Sequence, residues 1–398
     1  MSHMQIGIVG KPNSGKSTFF SASTLIDVEI GNRPFVTIKP NQGIGYVTSK
    51  CVHPDLGKEC QPQNSKCINR VRLIPIQLLD VAGLVKDAWK GRGLGNQFLN
   101  DLMQAHALIH VLDISGTTDA EGNPINGGHD PAEDVLFLEK EIDYWIKGIL
   151  TNNWIKIMRK ADAEKKASEA LAMQLTGLGI SEKHIKGVLV KLGFDDVLEE
   201  WSEEQLLEFC EEIRKFSKPM LIACNKIDLP DSRENFERLK KQFPEHIFVA
   251  CSAEAELALR KAAKEGLIEY IPGGNDFAIK KELPEKQKKA LEFIKESILK
   301  QYGSTGVQEA INKTAFELLK LIVVYPVQDQ NKWISAKGHV LPDAFLIKEC
   351  STPKELAAKI HTDFIEKYLG AIDCRSKQKI SETTELKNNA VVKILLRG

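Results

Sequence analysis

Gln5-Ile6-Gly7-Ile8-Val9 runs straight into Gly10-Lys11-Pro12-Asn13-Ser14-Gly15-Lys16-Ser17, and helix-compatible residues continue from Lys16 to Leu25. A short apolar run that stops at a glycine, followed by a helical stretch, reads as strand, glycine loop and helix. The loop matches G-x-x-x-x-G-K-[ST] in full, in the context that its chemistry requires. Glycines at Gly10 and Gly15 let the backbone N–H groups of Asn13, Ser14, Gly15, Lys16, Ser17 and Thr18 cradle phosphate oxygens at a helix N-terminus. Lys16 neutralises the β and γ oxygens, and the Ser17 hydroxyl is a magnesium ligand. Those residues point to a nucleoside triphosphate.

Further strand-like runs lie at Ile44 to Val47, Val71 to Leu79, Ala107 to Leu112, Met220 to Cys224 and Ile247 to Ala250, with helical stretches between several of them. The alternation predicts an α/β fold, a doubly wound and mostly parallel sheet whose ligands sit at the carboxyl ends of its strands. Three of those ends carry chemistry. Asp80-Val81-Ala82-Gly83 places a carboxylate for magnesium, held through water, and a glycine whose N–H meets the γ-phosphate. Asn225-Lys226-Ile227-Asp228 offers an aspartate able to accept two hydrogen bonds from guanine, which adenine lacks in that arrangement. Cys251-Ser252-Ala253 fits a loop whose backbone N–H groups, at Ser252 and Ala253, approach the guanine oxygen.

Between roughly Pro131 and Ser217 the period changes: Val135, Leu138, Ile142, Trp145, Ile146 and Ile149 recur at spacings of three and four, which predicts a helical insertion. Lys156 to Ala172, rich in Lys, Ala and Glu, reads as a solvated helix or a hairpin arm with few core contacts. Helices follow at Glu254 to Glu265 and Glu285 to Gln301, with a turn at Pro272-Gly273-Gly274. From Leu321 the character becomes α+β. Leu321 to Tyr325, Ala344 to Lys348 and Val391 to Leu395 are strand-like, and Thr352 to Tyr368 is an amphipathic helix opened by a Thr352/Glu355 capping box with Pro353 at its first position. The expected domains are therefore 4–130 with 218–275 for the nucleotide, 131–217 for the helical insertion, 276–320 for flanking helices, and 321–398.

The chain of 398 residues balances 54 basic against 54 acidic side chains, which excludes a globally basic nucleic-acid coat and leaves any such contact regional. No run reaches the roughly 18 apolar residues of a membrane span, so no membrane partner and a cytoplasmic location are expected. Met1-Ser2-His3 ahead of Met4 reads as a cloning scar outside the fold. The eight cysteines are too sparse and irregular for a disulfide framework. Cys51, His53, Cys60 and Cys67 form one cluster in sequence; without a close C-x-x-C pair they read first as a loop with incidental thiols, and metal ligation stays open as the lesser alternative. His106, His110 and His361 sit among apolar residues and read as core or boundary packing.

Four motifs in this order resemble a P-loop GTPase of the translation-factor-related class. Gly91-Arg92-Gly93-Leu94-Gly95-Asn96-Gln97-Phe98-Leu99 after Asp80-Val81-Ala82-Gly83-Leu84 resembles the Obg-like group, and within it an archaeal member of the YchF branch, with Arg33-Pro34-Phe35-Val36-Thr37-Ile38-Lys39-Pro40-Asn41 as switch I. The resemblance implies a Mg2+-dependent GTP-to-GDP cycle with slow intrinsic turnover. It makes Thr37 a magnesium ligand present only with the γ-phosphate, and Lys16, Thr37, Gly83 and Asn13 the catalytic set. Two departures stand out. YchF proteins often carry glutamate where this chain keeps Asp228, and prefer ATP, so GTP is assigned here and ATP stays open. Leu84 replaces the glutamine that orients water in many GTPases; related GTPases with asparagine at the position of Asn13 bind K+, which would stabilise developing charge instead.

The segment from Leu321, with Leu341-Pro342-Asp343 ahead of a strand and Ala357 to His361 in the capped helix, resembles a TGS domain, a ubiquitin-like β-grasp module of translation-linked proteins. It holds twelve Lys and Arg against nine Asp and Glu, and Arg375, Lys377 and Lys379 stand close together, as a solvated loop or as an RNA-phosphate contact. A ribosome or RNA partner is implied through the TGS and helical domains. A rival reading is a nucleotide-gated binding module with negligible hydrolysis.

Overall fold

A computed structural model describes residues 4–25, 41–81, 95–126, 128–164, 166–194 and 197–397. The chain begins with β1 (Gln5–Val9), α1 (Lys16–Thr24), β2 (Gln42–Lys50), α2 (His53–Leu56), β3 (Lys66–Ile68) and β4 (Val71–Asp80). It continues through α3 (Gly95–Gln104), β5 (Ala107–Asp113) and five helices: α4 (Pro131–Thr151), α5 (Trp154–Glu164), α6 (Ala167–Leu175), α7 (Glu182–Leu192) and α8 (Glu203–Ser217). Next come β6 (Met220–Asn225), α9 (Ser232–Gln242), β7 (Ile247–Ala250), α10 (Ala253–Lys264), β8 (Ile268–Tyr270), β9 (Phe277–Ile279), α11 (Glu285–Ile294), α12 (Lys300–Tyr302) and α13 (Val307–Lys313). The last are β10 (Leu321–Val327), β11 (Phe345–Lys348), α14 (Pro353–Ile360), β12 (Tyr368–Asp373), β13 (Gln378–Ile380) and β14 (Ala390–Leu396). Two compact units result: 5–20 with 79–254, and 1–4 with 21–78 and 255–398.

The first unit is built on parallel strands in the order β1-β5-β6-β7, in register at Ile6↔Ala107, Leu108↔Met220 and Leu221↔Ile247. The end of β4 runs beside β1, where Val81 N–H donates to Ile8 O at 3.1 Å. Every residue of β5 and β6 is buried, as in a parallel sheet covered on both faces. Close packing reaches the backbone: a Cβ on Gly7 would stand 2.9 Å from both Ala105 and Leu108. The helical insertion is real, and its α4, α6, α7 and α8 share one apolar core with β1 and β5. The Lys156 to Ala172 segment corrects the expectation of few core contacts. It is a pair of helices, α5 and α6, and Ala167, Ala170, Leu171 and Leu175 of the second are buried.

In the second unit β4 pairs with β2 and, at its start, with β3. Helices α10 and α11 close over the β8–β9 hairpin around Leu259, Ile268, Tyr270, Leu291 and Ile298. The C-terminal segment is a five-stranded sheet, β11-β10-β14-β12-β13, with β10 and β14 parallel and the other pairs antiparallel. Leu356 of α14 packs on Ile322, Val324, Ala371 and Val392 of that sheet. The helix expected over Thr352 to Tyr368 stops at Ile360. His361 turns to extended backbone (φ −155°) and its Nδ1 accepts from Asp363 N–H at 3.2 Å, which frees Tyr368 to begin β12. Among the described residues no helix is long and apolar enough to cross a membrane.

Candidate nucleotide site

The loop after β1 owes its path to two glycines. A Cβ on Gly10 would lie 2.6 Å from the Val111 carbonyl oxygen, and one on Gly15 (φ +92°) would lie 2.1 Å from Asn225 Nδ2. Asn13 is also left-handed, at φ 58°. Such turns aim successive N–H groups to one side, the concavity that suits an anion. Phe19 N–H donates to Gly15 O at 2.8 Å and starts α1, which puts Lys16, Ser17 and Thr18 on its first turn beside the positive end of the helix dipole. Lys16 Nζ is ion-paired with Asp80 at the end of β4. The Ser17 side chain is exposed.

Asn225 closes the site from the end of β6. Its Nδ2 donates to Ser14 O at 2.8 Å and its Oδ1 accepts from Ala253 N–H at 2.9 Å, so one amide binds the loop after β1 to the loop after β7. Cys251 N–H donates to Cys224 O at 2.8 Å and Ile227 N–H to Cys251 O at 3.1 Å. These bonds hold Ser252 and Ala253, both buried, alongside Asn225-Lys226-Ile227-Asp228. Lys226 (φ 64°) reaches Asp113 Oδ2 at 2.7 Å. Burial alone would raise the Asp113 carboxyl, but hydrogen bonds from Lys226, Ser115 and Thr118 outweigh it and hold the pKa below the usual value. Asp228 is half-buried and makes no side-chain hydrogen bond or ion pair among the described residues. Its carboxylate is available to a ligand.

The structure thus gathers Gly10, Asn13, Ser14, Gly15, Lys16, Ser17, Thr18, Asp80, Asn225, Lys226, Asp228, Ser252 and Ala253 in one unit at the carboxyl ends of its strands. Thr37, Gly83, Leu84 and Arg92 lie outside the described residues. Several contacts of the loop's variable positions reach residues that carry no motif. Lys11, buried, is ion-paired with Asp134 of α4 at 2.8 Å and donates to Thr118 O at 2.9 Å. Asn13 Nδ2 donates to Gly122 O at 2.9 Å, and a Cβ on Gly122 (φ +86°) would meet Pro12 O at 2.3 Å. The 117–125 segment therefore braces the phosphate loop, and the turn-prone Gly122-Asn123-Pro124 was its one signal in the sequence.

Outside this site three expectations change. Cys51, His53, Cys60 and Cys67 are not scattered thiols: their ligand atoms lie within 4.8 Å of one another. His110 is a core histidine as expected, whereas His361 is exposed and caps a turn. Arg375 is committed within its own unit, 2.7 Å from Asp55 Oδ2 and over the Trp333 ring at 5.5 Å; Lys377 and Lys379 remain exposed.

Comparison with known proteins agrees with the geometry. A family model described as 50S ribosome-binding GTPase matches residues 5–144, one described as Obg-like GTPase YGR210-like, G4 motif-containing domain, matches 223–329, and the TGS domain matches 337–396. The chain is 52% identical over 392 residues to the uncharacterized GTP-binding protein MJ1332 of Methanocaldococcus jannaschii, with 98% of each covered. It is 32% identical over 270 residues to the ribosome-binding ATPase YchF of Mycoplasma genitalium, which covers 64% of this chain and 67% of that one. The crystal structure of a GTP binding protein from Pyrococcus horikoshii OT3 superposes with a TM-score of 0.79 at 43% identity, over 99% of this chain and 100% of that one. The Schizosaccharomyces pombe YchF GTPase shares the fold, with a TM-score of 0.58 at 18% identity over 99% and 98% of the two chains.

Proposed function

The chain belongs to the Obg/YchF-like P-loop GTPases that carry a C-terminal TGS domain, and on that premise we propose that it binds GTP and GDP with Mg2+ and hydrolyses GTP slowly as a switch. The observation that carries this reading is Asp228: a half-buried carboxylate without a partner among the described residues, beside an Asn225 fixed by two hydrogen bonds. An acceptor so placed recognises the N1 and 2-amino donors of guanine. Adenine would leave it poorly paired. Ser252 and Ala253 supply backbone N–H groups to the guanine oxygen.

At the phosphates, Gly15 (φ +92°) gives the loop its turn and lets Asn225 Nδ2 close on it where a Cβ would stand only 2.1 Å away, and Ser17 presents an exposed hydroxyl. These features suit a bound triphosphate and its cation. Lys16, paired with Asp80 here, would turn to the β and γ oxygens of a bound triphosphate, and Ser17 and Asp80 would hold a magnesium ion, with Thr37 the further ligand and Gly83 N–H the γ-phosphate donor that the resemblance implies. The ion would supply positive charge to the phosphates. Leu84 has no group to orient water. Asn13, whose Nδ2 donates to Gly122 O, would offer its Oδ1 to a K+ ion, which would supply positive charge to the phosphates. The functional division that we propose is 4–130 with 218–275, 131–217, 276–320 and 321–398, and the setting is the cytoplasm, with the ribosome as partner through the TGS and helical domains. The relatives named ribosome-binding ATPase and the ribosome-binding GTPase family support that partner.

The same relatives favour a second reading, ATP preference. Calorimetry of GTP, GDP and ATP with Mg2+, on the wild type and Asp228→Asn, separates them. GTP and GDP should bind roughly tenfold or more tighter than ATP, and the variant should lose that preference. Equal ATP and GTP affinity in the wild type would overturn the assignment of Asp228.

A further inference from the structure

The four residues between β2 and β4 that cluster loosely in sequence converge in space. Cys51 follows β2, His53 opens α2, Cys60 lies in the loop beyond it, and Cys67 is central in β3. Cys51 Sγ is 3.9 Å from Cys60 Sγ, and His53 Nδ1 is 3.3 Å from Cys60 Sγ and 3.7 Å from Cys67 Sγ. A tetrahedral zinc ion with Zn–S near 2.3 Å and Zn–N near 2.05 Å sets its sulfurs about 3.8 Å apart and sulfur and nitrogen about 3.6 Å apart. The observed sulfur–sulfur spacing lies just above the first value, and the two sulfur–nitrogen spacings bracket the second. A disulfide needs roughly 2.05 Å, and all eight cysteines are free thiols.

A separate observation comes from charge. Arg72 is wholly buried, stands directly opposite Cys67 in the β3–β4 ladder, and forms no ion pair with a carboxylate among the described residues. Its Nε donates to Ser65 Oγ at 2.8 Å and its Nη2 to Leu341 O at 2.8 Å, while its Nη1 has no partner. It lies 5.6 Å from the centre of the Tyr325 ring and within coulombic reach of Asp343, whose carboxyl burial nonetheless raises, so its charge is compensated without a direct ion pair, an unfavourable state for a buried guanidinium. Three thiolates, one neutral imidazole and a divalent cation together carry one negative charge, which would add to that compensation.

We propose that Cys51, His53, Cys60 and Cys67 form a closed Cys3His zinc site with a structural role. Four protein ligands leave no open vertex for substrate. The local fold delivers them: Asn69 and Arg70, both left-handed (φ 47° and 67°), make the tight two-residue turn between Ile68 and Val71, of the kind that hairpins favour. Cys51 N–H donates to Arg70 O at 2.8 Å and binds the end of β2 to that turn. With Nδ1 facing the sulfurs, His53 turns Nε2 toward Glu59, 3.6 Å away, so a carboxylate stands behind the imidazole, as it often does in metal sites. The ion fixes the loop whose next residues meet the TGS segment within the same unit. Gln61 N–H donates to Val340 O at 2.8 Å, Gln63 N–H to Pro342 O at 2.6 Å, and Asn64 exchanges two 3.0 Å bonds with Ala344.

The test is metal content. The full chain, purified without chelator, should carry one zinc per molecule by plasma mass spectrometry. Cys60→Ser and His53→Ala should each fall below about a tenth of that, and Cys350→Ser, at an exposed cysteine elsewhere, should keep it. If the ligand variants do not fold, the wild type decides alone: after metal removal, cobalt(II) must give the visible bands of a tetrahedral thiolate complex. A wild-type chain without zinc and without that spectrum overturns the proposal. So does a Cys51–Cys60 disulfide found in the freshly purified protein.

Discussion

Asn225 spends both ends of its amide inside the protein, and that changes what its loss should do. Asn225→Ala strips the partner from Ser14 O and from the buried Ala253 N–H, so it should destabilise the fold by about 1–3 kcal/mol in urea titration and weaken GTP binding as the two loops separate. Gly15→Ala asks for a Cβ 2.1 Å from Asn225 Nδ2 at a φ of +92°; nucleotide affinity measured by calorimetry should be lost. His110 acts through pH. Burial lowers its pKa from 6.5 to about 3, and the nearby Glu139 restores only part of that. The folded state then binds fewer protons than the unfolded chain between pH 3 and 6.5, so this group's contribution is intact above pH 6.5 and drains away as pH falls toward 3. The slope approaches about 1.4 kcal/mol per pH unit, and His110→Leu should flatten it in pH-dependent denaturation. The phosphate loop was legible in full because its residues act through backbone geometry that spacing encodes. The Lys11–Asp134 pair was not, because it joins residues far apart in the chain whose types are common on any surface.

At the scale of elements, signals local to one turn came through and signals that depend on packing did not. The capping box on α14 is present as its sequence implies: Thr352 Oγ1 accepts from Glu355 N–H at 3.3 Å and the Glu355 carboxylate accepts from Thr352 N–H at 2.7 Å. Thr352→Ala should therefore cost about 1 kcal/mol, read as a lowered melting temperature. The end of that helix was not legible. Its apolar period continues through Phe364, Ile365 and Tyr368, and only the sheet requires the last of these as a strand residue, paired with Leu396. Helix α6 failed the other way, since alanines and one leucine at the core lie in a window dominated by charge. Leu171 is wholly buried, and Leu171→Ala should destabilise by roughly 2–5 kcal/mol. The cysteine cluster belongs here too: a hairpin turn and a four-residue helix, rather than a short repeat of two cysteines, bring its members together.

For the whole molecule, the parallel sheet, the helical insertion and the β-grasp module all followed from periodicity and motif order. Each unit is assembled from separated stretches, 5–20 with 79–254 and 1–4 with 21–78 and 255–398, and no composition shift marks crossings that fall within α1 and β4. Ligand linkage should reveal the partition. GTP with Mg2+ at a hundred times its dissociation constant adds about 2.7 kcal/mol to whatever unfolds with the phosphate loop, so calorimetry should show the transition of 5–20 with 79–254 moving to higher temperature. The interleaving also sets an order in time. Translation completes the phosphate cradle and the loop at Ser252 and Ala253 by Glu254, while β10 to β14 are still unmade. A chain folding as it leaves the ribosome would thus have the described residues of its candidate nucleotide site in hand before the C-terminal module exists, early enough for a bound nucleotide to be present while that module folds.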